Sequence, residues 1–153
     1  NSKETIRFEE WKKNSIVHSK KKLMIKIDIE GDEYDFINTI NDETLSNTKI
    51  LIVEFHAITK IFSPPYTNKI LDTFTRINEF FKVVHIHVNN ISDIFHVDRY
   101  SMPQCMEITF VNKKYLNLDK LRLSKNFPNK LDRKCVKNKK EVFLPSIFYE
   151  KFL

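Results

Sequence analysis

The chain reads as an α/β protein built on a mostly parallel sheet with an antiparallel last strand. Two observations predict this class. Apolar runs of strand length alternate with segments of helical apolar spacing, in the order strand, helix, strand, helix, strand, strand. The one glycine among 153 residues, Gly31, falls where the first strand gives way to a helix.

The elements follow in order. Glu4 to Asn14 is expected as a short helix presenting Ile6, Phe8 and Trp11. "KKLMIKIDIE" at 21–30 reads as a strand that Gly31 ends. A helix then starts at Asp32 or Glu33, with Tyr34, Phe36, Ile37 and Ile40 at near-helical spacing. Its acidic first turn suits the positive end of the helix dipole. "TKILIVEFH" at 48–56 is the second strand. "SPPY" at 63–66 reads as a loop before an amphipathic helix over 67–81, carried by Ile70, Leu71, Phe74, Ile77, Phe80 and Phe81. "KVVHIHVNN" at 82–90 is the third strand, "VDRYSMPQ" at 97–104 a loop, and "CMEITFVNKKY" at 105–115 the fourth strand. From Leu116 a proline-punctuated tail, 116–153, is expected to wrap the surface of the same single domain, 1–153.

Composition excludes several classes. No apolar run approaches the roughly 20 residues of a membrane-spanning helix. The start, "NSKETIRFEEWKK", has no apolar signal core. It also lacks an initiator methionine, as expected of a fragment, a processed form or part of a longer protein. Cys105 and Cys135 have neither disulfide-framework nor zinc-motif spacing, so free thiols in an intracellular, cytoplasmic setting are expected. The net charge of +6 concentrates in "WKKNSIVHSKKK" and "KNFPNKLDRKCVKNKK". Such clusters suit nucleic acid or an acidic surface, but without interleaved aromatics a solvated surface is the simpler account.

Strand alternation sorts the side chains that carry chemistry. Lys26, Asp28 and Glu30 share one face of the first strand, and Glu54 and His56 share one face at the end of the second. His85 and His87 do so in the third strand, where satisfied sheet histidines are the commoner outcome; His18 and His96 read as surface residues. Ligands of a parallel sheet bind outside the carboxyl ends of its strands, so Asp28, Glu30, Glu54, His56 and His87 are expected to converge there. Three readings stay open for the carboxylates. Lys26 neutralises them; or Asp28 or Glu54 acts as a general base or substrate-hydroxyl acceptor; or the group holds a hard divalent cation.

"MIKIDIEGDEYDFI" resembles the strand–turn–helix signature of FkbM-type S-adenosylmethionine-dependent methyltransferases, approximately K-x-D-x-E-G-x-E. "FEEWKK" is similar to the segment before that strand, and "LIVEFH" to the following strand with its glutamate. "VVHIHVNN" and "MPQCMEITFVNKKYL" resemble the last two strands, and "FPNKLDRKCVKNKKEVFLP" a tail found in one branch of the family. The resemblance implies the C-terminal half of a Rossmann-like methyltransferase sheet, from the fourth strand onward. It implies S-adenosylmethionine as cofactor and an oxygen on a sugar or small molecule as acceptor. Asp28, Glu30 and Glu54 would orient or deprotonate that acceptor, with His56 nearby.

Rossmann-like methyltransferases also hold the cofactor with a glycine-rich loop, and this chain's single glycine is already in use. The strand of Asp28 is accordingly expected as an open edge, covered by a missing N-terminal half or another chain. The alternative is a catalytically inactive, methyltransferase-like scaffold subunit of a larger assembly, contacting RNA or acidic partners. A metal-dependent nuclease fits less well, because D-x-E-G lacks the lysine that usually follows in such sites.

Overall fold

The strand with the clearest two-residue alternation, Thr48–Phe55, divides the molecule into layers. Leu51, Val53 and Phe55 are fully buried on one side of it, while Ile50, Ile52 and Glu54 on the other are half-buried. The computed structural model describes residues 6–15, 22–91, 93–120, 122 and 127–148. Their order is α1 (Phe8–Asn14), β1 (Leu23–Ile27), α2 (Glu33–Thr39), α3 (Asp42–Asn47), β2 (Thr48–Phe55) and α4 (Pro64–Phe80). After these come β3 (Phe81–Val88), β4 (Ile94–Val97), β5 (Tyr100–Pro103) and β6 (Met106–Asn112). Glu4, Thr5 and His18 lie outside the described residues.

The sheet is mixed, in the order β1-β2-β6-β3. β1 pairs with β2 in parallel, and β6 runs antiparallel to both β2 and β3. The last strand is therefore reversed, as expected. It enters between β2 and β3 rather than adding at an edge, so β1–β2 is the single parallel pairing among the described strands. The 17-residue helix α4 leads into β3, one strand away from β2, and β6 fills the gap. Among the described residues no helix is long and apolar enough to cross a membrane.

One face of the sheet carries the core. Phe55 lies 5.4 Å from the Tyr34 ring of α2, 4.8 Å from Phe74 of α4 and 6.4 Å from Phe110 of β6. Ile37, Ile70 and Ile77, at the helical spacings read from the sequence, are also buried there. Asn112, buried at the end of β6, donates to the carbonyls of Leu45, Ser46 and Thr48, which meets the cost of burying its amide. Within the tail, Leu144 is buried in this core, and Phe127, Val142 and Phe148 pack against it.

Several local expectations are corrected. Pro64 and Pro65 open α4 instead of forming a loop, because a first helical turn needs no N–H from them. The loop expected at 97–104 contains β5 and the turn of a β4–β5 hairpin, where Asp98 takes a left-handed φ of 50° without a glycine. α3 was not expected from apolar spacing; Asn41 caps it by accepting from the Thr44 N–H at 2.8 Å. β1 ends at Ile27, so Asp28 and Glu30 lie beyond the strand instead of continuing its alternation. The reason is the turn itself: Glu30 has φ 57° and Gly31 φ 115°.

Candidate active site at the carboxyl ends of β1 and β2

The D-x-E-G-x-E segment turns the chain from β1 into α2, and the turn is tied by its last glutamate. Glu33 is fully buried. Its Oε1 accepts from the backbone N–H of Ile29 at 3.3 Å and of Gly31 at 3.0 Å, and lies 2.9 Å from His56 Nδ1. Oε2 has no hydrogen-bond partner among the described residues. The other ring nitrogen of His56, Nε2, lies 3.5 Å from Oε2 of the exposed Glu30. The Tyr34 hydroxyl donates to the His56 carbonyl at 3.1 Å, fixing the backbone that carries the ring.

Glu54, two residues before His56, is half-buried beside this pair. Asn89 Nδ2 donates to Glu54 Oε1 at 2.5 Å, and the Cys105 thiol donates to the same oxygen at 3.3 Å. The register explains the company. Phe55 pairs with Met106, so the next positions on the two strands are His56 and Cys105. Glu54, His56 and Cys105 bring one ligand-capable atom each within 4.8 Å of one another, and so do Asp28, Glu30 and His56.

The electrostatics follow from these contacts. Partial desolvation by its neighbours raises the carboxyl of the exposed Asp28, and the charge of Glu54 adds to the effect. Burial works in the same direction on Glu54, but the Asn89 amide, the Cys105 thiol and His56 outweigh it and hold the carboxyl below its usual range. Glu33 is also held low against its burial, by the Gly31 N–H and His56. For His56, burial opposes the charged ring, yet the bond to Glu33 and the nearby carboxylates raise it above its ordinary value. Burial, then Glu54, pushes the Cys105 thiol well up, so it stays protonated. The cluster is thus an imidazole oriented by a buried carboxylate, facing a rim of further carboxylates.

The predicted residues are not all placed alike. Asp28, Glu30, Glu54 and His56 meet, although Asp28 and Glu30 arrive through the turn. Lys26 pairs at 2.9 Å with Glu107 on β6 rather than with a carboxylate of the cluster. His87 does not join the cluster. It shares with Glu54, His85, Asn89, Glu107 and Asp132 a cavity of about 270 Å³. His85 meets Asp132 at 2.8 Å, whereas His87 Nε2 is 3.8 Å from Glu141 and without a hydrogen bond among the described residues. His96 is exposed and contacts the Ser101 hydroxyl at 3.0 Å.

Glu33, Asn89 and Cys105 were not singled out from the sequence. Glu33 had a signal, as the last residue of the motif. Cys105 becomes visible only through the β2–β6 register. The chain matches no protein-family model, no curated protein and no solved structure.

Gly31 offers a direct test of the turn. A Cβ there would meet no atom of the described residues within 4 Å, so the strain of Gly31→Ala comes from φ 115°. The expected loss is roughly 1–3 kcal/mol in urea unfolding. An unchanged midpoint would show that the turn adopts another conformation.

Proposed function

We propose that this chain forms the acceptor side of an S-adenosylmethionine-dependent methyltransferase of the FkbM type, directing methyl transfer to an oxygen of a sugar or other small molecule. One observation carries most of the weight. The resemblance leaves the strand of Asp28 as an open sheet edge, and β1 is an edge strand among the described strands. The identity of the acceptor class rests on the resemblance alone.

Methyl transfer to a hydroxyl demands alignment of the two reacting atoms and a place for the hydroxyl proton. Glu54, anchored by Asn89 and Cys105, is suited to hold the hydroxyl, and the exposed Asp28 to take its proton. Glu33 is a positioning residue, acting through His56. The carboxylates at the rim also suit the sulfonium and ammonium groups of the cofactor.

Calorimetric titration with S-adenosylmethionine tests this reading. The expected result is measurable heat by millimolar ligand, with affinity about tenfold weaker in Asp28→Asn, a change of about 1.4 kcal/mol. No heat at millimolar ligand would end the enzyme reading.

The scaffold reading has its own support. The single glycine leaves none for a cofactor loop. In addition, the Nζ atoms of Lys22 and Lys49 lie 5.8 and 5.5 Å from the Tyr115 ring centroid, an aromatic among lysines that the linear sequence does not display. Such a patch suits RNA or an acidic partner, with binding that weakens as salt rises.

A further inference from the structure

We propose that Glu54, His56 and Cys105 form a binding site for a borderline divalent cation of the zinc type. The inference concerns the cluster alone and does not rest on methyl transfer. Three different donor types, a carboxylate oxygen, an imidazole nitrogen and a thiol sulfur, converge within 4.8 Å at the end of one strand pair. Nitrogen and sulfur donors disfavour magnesium and calcium, which take oxygen ligands, and favour zinc. A carboxylate and a thiolate together balance the charge of a dication.

The surroundings add an independent observation. Metal-binding histidines usually give their second ring nitrogen to a carboxylate, which fixes the tautomer. Here Nδ1 of His56 faces the fully buried Glu33, so a cation bound at Nε2 would meet a ring already oriented by a carboxylate. Among the described residues the second oxygen of Glu33 is buried without a hydrogen-bond partner, a polar atom that the cluster's own bonds leave unsatisfied. Lys26 is bonded to Glu107, and its charge also acts on Asp28 and Glu54 from the rim. Asn89 holds Glu54 in the same supporting manner. Asp28 and Glu30 stand on the exposed side of His56, where further ligands would enter.

Binding replaces the S–H bond of Cys105 by a sulfur–metal bond and releases that proton to solvent, together with any proton held on the ligating nitrogen of His56, so at least one proton leaves per cation bound. Cobalt(II) is the probe, titrated into the full reduced chain. The expected result is one cation per chain, a thiolate-to-cobalt charge-transfer band, matching proton release and displacement by zinc. Cys105→Ser should abolish the band, Cys135→Ser should keep it, and Asn89→Ala should weaken binding about 10–100-fold. Absence of the band in the folded wild-type chain overturns the proposal without reference to any variant. A band that survives Cys105→Ser and vanishes in Cys135→Ser overturns it as well. Calorimetry with S-adenosylmethionine is a separate readout, so failure of one proposal leaves the other measurable.

Discussion

Glu33→Ala is expected to cost roughly 3–5 kcal/mol, the range for removing one partner of a buried charged pair. The substitution leaves the N–H groups of Ile29 and Gly31 without their acceptor and removes the group that orients His56. In a domain whose whole stability is about 5–15 kcal/mol, this is a large share. Glu33→Gln keeps the volume and one acceptor oxygen, so its loss should be smaller, about 1–3 kcal/mol. Urea unfolding in EDTA, which excludes any cation, measures both. A midpoint unchanged in Glu33→Ala would mean that the carboxylate does not hold the turn.

The same pair sets a pH dependence. Glu33 is held below its ordinary 4.5, so its contribution is present above that value and is lost as pH falls through the lower folded value. His56 is raised above its ordinary 6.5, so its contribution is complete below 6.5 and is lost as pH rises through the higher folded value. The pair therefore stabilises the chain most between 4.5 and 6.5, with a decline on each side. Glu33→Gln should flatten both declines, and an unaltered pH profile in that variant would assign them to other groups.

Phe55→Ala is expected to destabilise the chain by roughly 3–5 kcal/mol, as truncation of a fully buried aromatic does. The ring touches α2, α4 and β6 through Tyr34, Phe74 and Phe110, so the cavity would open where three elements meet. It also sits between Glu54 and His56 in sequence, pointing the opposite way, and its packing holds the strand end that carries both. The expected readout is a lower urea midpoint with an unchanged slope. A loss below about 1 kcal/mol would show that the surrounding side chains collapse into the space.

Much of the fold was legible because periodicity reports burial. The strands around Ile25, Val53, Ile86 and Ile108 and the helix through Ile70 and Ile77 all appear close to the positions read from the sequence. What escaped were elements held by turn and cap chemistry. α3 is capped by one asparagine side chain, and the β4–β5 turn carries an aspartate in a glycine-like conformation. Neither leaves a periodic trace.

For the candidate site, the sequence determined the chemistry available. It showed Asp28, Glu30, Glu54 and His56 near two strand ends, and a glycine that lets the chain turn between β1 and α2. The tertiary structure decided the pairings. Glu33 became the buried partner of His56 because the turn brings the start of α2 back onto the end of β2. Lys26 went to Glu107, and Cys105 came to Glu54, because β6 inserts beside β2 in reverse. Local spacing records which face a residue occupies; which strands become neighbours depends on contacts far apart in the chain, and those only the folded sheet specifies.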